Sequence, residues 1–170
     1  LILSAPMLSM KLSRFIQLFG LLIGFLSFFG LRKKTFTRPE WDSVKGWHER
    51  PFENNEVTSD RTRYQRSGNL IRKNEKLALG GLSIGWVYES LKRIKKIRNV
   101  KWAKKIECPT LLLNATQDRL VDADENKRIC SFMPISMIEN IEGKHELLME
   151  KDDIRKQTWR AIDKFLLKYL

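Results

Sequence analysis

Two ionisable side chains in the last third of the sequence stand where a general acid–base pair would be needed. Asp118 closes an apolar run, Pro109-Thr-Leu-Leu-Leu-Asn-Ala-Thr-Gln-Asp118, and His145 follows a short alternating segment, residues 137–141, within Gly143-Lys-His145-Glu146. A buried parallel strand reads as a near-continuous apolar run and delivers the residue that follows it to the rim of its sheet. A carboxylate and an imidazole on neighbouring strand ends can meet. The acid then fixes the tautomer of the histidine and stabilises its protonated form, the service that acyl transfer requires of such a pair. A nucleophile is still wanting.

To position the two, the chain must supply strand, helix, strand and helix. Residues 1–5 read as a buried strand terminated by Pro6, and the sheet resumes at Pro109. After Asp118, residues 124–133 are expected to form a short helix, capped by Asp122 or Asp124 and burying Ile129, Phe132 and Met133. A final helix starting near Asp152 or Asp153 places Ile154, Ile162, Phe165, Leu166 and Tyr169 largely on one face. This order is the closing half of a doubly wound α/β sheet. Simpler readings exist: Asp118 could cap the helix after it, and His145 could be an exposed loop residue. His145-Glu-Leu-Leu-Met lacks the second histidine of a zinc protease motif, so neither a metal nor a cofactor is expected.

Five segments carry a family likeness. Leu1-Ile-Leu-Ser-Ala-Pro-Met-Leu8, Val57-Thr-Ser-Asp-Arg-Thr-Arg-Tyr64, Leu79-Gly-Gly-Leu-Ser-Ile-Gly-Trp86, Cys108-Pro-Thr-Leu-Leu-Leu113 and His145-Glu-Leu-Leu-Met-Glu150 resemble the lysophospholipase L2 and monoacylglycerol lipase branch of the α/β-hydrolases. That resemblance implies a serine ester hydrolase acting on lysophospholipid or monoacylglycerol, with Asp118 orienting His145 and His145 as general base and acid. The family's acid lies in an Asp-x-x-Val setting, which Asp118-Arg-Leu-Val121 matches; its base lies in a Gly-x-x-His-Glu setting, from which Gly143-Lys-His145-Glu146 is one residue shorter. The family's nucleophilic serine lies in a Gly-x-Ser-x-Gly turn upstream of the strand formed here by residues 1–5. The expectation is therefore a truncated chain that begins after its own nucleophile and is inactive alone. The implied fold is the C-terminal portion of an α/β-hydrolase sheet with an inserted helical cap: residues 1–8 a core strand, 9–105 the basic cap, 106–170 the core bearing acid and base.

Gly81-Leu-Ser83-Ile-Gly85 also matches the nucleophile-elbow pattern, and Ser83, Asp118, His145 is the expected chain order. An elbow needs a strand before it, and residues 76–79 give at best a very short one. The 35 residues from Ser83 to Asp118 must also hold the elbow helix, another strand and its crossover, more than the roughly 30 residues of one βαβ unit. Ser83 is kept only as the alternative nucleophile.

The net charge of +12 is concentrated in residues 32–105, which carry 20 Lys and Arg against 8 Asp and Glu. Such a segment is either a solvated helical face or a contact for an anionic membrane. No groove-reading or base-stacking motif accompanies it, which argues against nucleic acid. Residues 86–100 show helical spacing, with Val87, Leu91, Ile94 and Ile97 on one face and Lys92, Arg93, Lys95 and Lys96 largely on the other. Residues 35–74 read as loops with short helices, with Trp41 and Trp47 packed on a neighbouring element and His48 at the surface.

Residues 15–31 are almost wholly apolar between basic flanks. They read as a lipid-facing or core helix of the cap, or as a true span, although 17 residues rise only about 26 Å as a helix. The second class of function that follows is a non-catalytic, membrane-associated lipid-binding protein. Cys108 and Cys130 lack Cys-x-x-Cys spacing and read as buried thiols in a reducing compartment. The expected location is the cytoplasm, with peripheral contact at the inner face of the membrane.

Overall fold

The computed structural model describes residues 1–10, 28–34, 50–78 and 82–170, together with Leu22, Gly24 and Phe25. Most of the apolar segment 15–31, and Trp41, Trp47 and His48, lie outside the described residues. Three strands, β1 (Ile2–Ser4), β2 (Thr110–Ala115) and β3 (Ser136–Ile141), form a parallel sheet in the order β1-β2-β3. The register aligns Ile2 with Leu111 and Leu112 with Ile138. Between β1 and β2 come the helices α1 (Arg61–Lys73), α2 (Ile84–Ile97) and α3 (Val100–Ala103). Helix α4 (Ala123–Cys130) crosses from β2 to β3, and α5 (Asp152–Tyr169) follows β3.

The residues gather into two compact units, one of Leu1–Lys11, Asn55–Arg63 and Ile94–Leu170, the other of Leu12–Asn54 and Tyr64–Arg93. The first is organised by β2, every residue of which is buried. Its alternate side chains serve opposite faces. Leu111, Leu113 and Ala115 pack with Ile141 and with Ala161, Ile162 and Phe165 of α5, while Leu112 packs with Ala103, Ile129, Cys130 and Met133. Burying one such leucine is worth about 1.5–3 kcal/mol, so the central strand is the main cohesive element. Asp122 caps α4 by accepting the N–H of Glu125. Glu125 in turn binds Arg128 and Arg98; the Arg128 hydrogen bonds, against the opposing effect of burial and with Arg98 assisting, bring its pKa down to about 2.

In the second unit, Ile84 and Val87 of α2 pack with Leu31, Tyr88 and Leu91. The N–H of Ile84 donates to the Lys34 carbonyl at 2.9 Å. A Cβ on Gly85 would stand 3.1 Å from the Arg32 carbonyl oxygen, so this glycine permits a close approach of two backbones. The hydroxyl of Tyr64 donates to the Arg50 carbonyl at 3.1 Å.

Three sequence expectations need correction. The polar stretch before residue 74 holds a 13-residue helix, α1, whose buried residues are Tyr64, Gly68 and Ile71. A face that narrow, with a glycine in it, leaves little apolar periodicity to read. Residues 75–77, ahead of Ser83, form a 3-10 turn, in keeping with the weak case for a strand there. Phe132 is exposed, because α4 ends at Cys130 and the chain turns before the phenylalanine can reach the core. Cys108 is exposed as well, in the connection before β2, whereas Cys130 is buried. No helix among the described residues is long and apolar enough to cross a membrane.

Candidate active site

The parallel ladder continues past the ends of β2 and β3. Thr116 donates its N–H to the Ile141 carbonyl at 3.0 Å, and Gln117 does the same to Gly143 at 3.0 Å. These bonds fix the two loops to one another just before Asp118 and His145. Asp118 is 1% exposed. Its Oδ1 accepts the N–H groups of Leu120 at 2.7 Å and Val121 at 3.1 Å, which leaves Oδ2 facing Nδ1 of His145 at 2.7 Å. Asp118 thus both caps the turn that follows it and binds the imidazole.

A carboxylate can only accept, so Nδ1 carries the proton of this bond and Nε2 is left for proton exchange. Burial opposes the charge on Asp118, but the hydrogen bonds from His145, Val121 and Leu120 outweigh it and hold its pKa below the ordinary carboxylate value. The bond to Asp118 raises the pKa of His145; burial opposes it, and the charges of Asp118 and Glu146 add to it. Each partner therefore favours the charged form of the other.

The loop bearing His145 is tightly held. A Cβ on Gly143 would lie 2.8 Å from Cδ2 of Leu147, 3.1 Å from Cγ2 of Ile154 and 3.4 Å from Cγ of Glu150, so only glycine fits without displacement. After His145, the N–H of Glu146 donates to the Val57 carbonyl at 2.8 Å. A 3-10 turn, Leu147–Met149, then buries Leu147 beneath the loop.

Ser83 belongs to the second compact unit, where it begins α2 and its Oγ accepts the N–H of Trp86 at 3.1 Å. That is the bond of a helix N-cap. The sequence assigned no role to Glu150 or to Asn55–Arg63, which pack in the same unit as His145. The available signal was the polar series Asn55 to Asp60, whose Asn55 side chain accepts the N–H groups of Val57 and Thr58. Among the described residues, no group of three or more His, Cys, Asp or Glu could hold a metal ion.

A sequence model of the family described as serine aminopeptidase, S33, matches residues 1–152. The chain belongs to this family. It is 34% identical over 116 residues, 68% of its length, to a probable lysophospholipase L2 of Haemophilus influenzae, and 30% identical over 131 residues, 72% of its length, to lysophospholipase L2 of Escherichia coli K12. These matches cover 36% and 38% of the relatives, so the chain spans little more than a third of their length. A monoglyceride lipase of Saccharomyces cerevisiae superposes on 99% of the chain with a TM-score of 0.66 at 14% identity, and a monoacylglycerol lipase of Paleococcus ferrophilus with 0.63 at 17%. The superpositions take in 55% and 58% of those chains. The S33 chain therefore carries part of an α/β-hydrolase fold of the lysophospholipase and monoglyceride lipase type, as its sequence led one to expect.

Proposed function

We propose that this S33 chain provides the acid and base of a serine ester hydrolase for lysophospholipids or monoacylglycerols. The observation that carries the reading is the 2.7 Å bond between His145 Nδ1 and a buried Asp118. His145 takes the proton of a serine hydroxyl through Nε2 as the hydroxyl attacks the acyl carbonyl, and returns it to the leaving glycerol or glycerophospho alcohol. Asp118 stabilises the imidazolium formed in between. The names of the curated relatives support the substrate class. The engagement of Ser83 as an N-cap supports a nucleophile other than Ser83.

The 170-residue chain is expected to show no turnover of lysophospholipid or monoacylglycerol esters. Expressed together with the sequence encoded upstream of Leu1, it is expected to be active, with Asp118→Asn and His145→Ala each losing about 10⁴-fold and Ser83→Ala losing little. Hydrolysis by the 170 residues alone that vanishes in Ser83→Ala would make Ser83 the nucleophile. The exposure of Lys92, Arg93, Lys95 and Lys96 on α2 supports a second element of the proposal, a peripheral contact with anionic lipid at the membrane that holds the substrate.

A further inference from the structure

Two carboxylates are buried in the first unit, and the acid–base pair uses one of them. The other, Glu150, is fully buried. Its oxygens are spent on main chain: Oε1 accepts the N–H of Lys144 at 2.9 Å, and Oε2 accepts those of Ser59 at 3.0 Å and Lys151 at 3.3 Å. Burying a carboxylate is costly unless its lone pairs are satisfied, so a residue placed this way has to be matched by its whole surroundings. The match comes from Asn55–Arg63. Thr58 Oγ1 donates to the Met149 carbonyl at 2.7 Å, Lys144 Nζ donates to the Asn55 carbonyl at 3.2 Å, and Arg63 joins the Glu150 carbonyl to the side chains of Asp60 and Asp152.

His145 is bracketed by these contacts. The N–H before it, on Lys144, is held by Glu150, and the N–H after it, on Glu146, is held by Val57. We propose that Glu150 is a positioning residue for His145, which with the Asn55–Arg63 segment as a strap fixes the backbone on both sides of the imidazole and so sets its bond to Asp118. The inference rests on the reading of Asp118 and His145 as the acid–base pair. A bond between short side chains is kept at its working distance only where the supporting backbone is itself locked. Glutamine keeps one acceptor oxygen but sets its NH2 against either the Lys144 N–H or the N–H groups of Ser59 and Lys151, so one side of the bracket is lost and the ring can swing from Asp118.

The test is an NMR titration of the His145 ring in the 170-residue chain, with the second histidine of the sequence removed by His48→Ala to assign the signal. Glu150→Gln leaves the charges of Asp118 and Glu146 beside the ring unaltered, and Thr58→Val, which changes no charge, separates loss of positioning from loss of the Glu150 charge itself. In folded Glu150→Gln, the titration midpoint is expected to fall by at least half of the drop produced by Asp118→Asn. Thr58→Val, which is nearly isosteric and removes the strap's bond to Met149 together with the bond that Thr58 Oγ1 accepts from the Asp60 N–H at 3.0 Å, is expected to give a smaller drop in the same direction, and it carries the test if Glu150→Gln does not fold. An unmoved midpoint in folded Glu150→Gln or in Thr58→Val, beside a clear drop in Asp118→Asn, would show that Glu150 merely anchors the start of α5 and would overturn the proposal. A midpoint unmoved by Asp118→Asn itself would overturn the acid–base reading, and this inference with it.

Discussion

Gln117 donates its N–H to the carbonyl of Gly143, 3.0 Å away, one residue before Asp118 and two before His145. The distance between acid and imidazole is thus set by main chain, and the pair should behave as a preformed unit in the absence of any substrate. The His145 midpoint is expected above that of an ordinary histidine, with Asp118→Asn lowering it in an NMR titration. The linkage to stability has a definite sign. His145, with a raised pKa, contributes stability that is fully present below the ordinary histidine value and lost as pH rises through its folded value. Asp118, with a lowered pKa, contributes stability that is present above the ordinary carboxylate value and lost as pH falls through its folded value. The pair therefore stabilises most between roughly pH 4 and 6.5, and Asp118→Asn should cost most in melts carried out there.

Ser83→Ala removes the side chain that accepts the Trp86 N–H at the start of α2. The expected loss is about 0.5–2 kcal/mol in denaturant unfolding, with Ser83→Gly losing only roughly a few tenths of a kcal/mol. The His145 midpoint should stay where it is in both variants. A shift equal to that of Asp118→Asn would tie Ser83 to the imidazole after all.

The two thiols should separate in a titration with an aromatic disulfide reagent. Cys108 is exposed, whereas burial pushes the thiol of Cys130 up to about 11. One thiol is expected to react quickly in the folded chain and two after denaturation. Equal fast reaction of both in the native state would contradict the packing of Cys130 against Leu112 and Ile129.

Vesicle binding should depend on surface charge. Co-sedimentation with phosphatidylserine vesicles is expected to exceed that with phosphatidylcholine and to weaken as salt shortens the screening length. Neutralising Lys92, Arg93, Lys95 and Lys96 to glutamine should reduce binding by about fivefold per residue, the equivalent of about 1 kcal/mol each. Salt-insensitive binding to both vesicle types would remove the electrostatic contact from the proposal.

The legible parts of this chain were those in which local sequence and burial coincide. Leu111, Leu112 and Leu113 announce a strand covered on both faces, and Asp118 and His145 follow strand ends, so the meeting of these two side chains could be anticipated by counting residues. Phe132 misled because its apolarity says nothing about where α4 stops. Helix α1 escaped because it buries only Tyr64, Gly68 and Ile71, although Asp60, which accepts the N–H of Arg63, was a visible cap. Glu150 was the hardest to read. Its partners Lys144 and Ser59 lie 6 and 91 residues away, and both meet it through the backbone, which every residue type possesses.

Gly143 offers no group that could take part in a reaction, yet three neighbours close on the place where its side chain would be. A saturation library scored for hydrolysis should therefore treat position 143 as severely as the histidine two residues on. The same library should tolerate change at the neighbouring Glu142, which is exposed. The sharpest boundary in the mutational map of this loop would then fall between two adjacent residues, drawn by available volume.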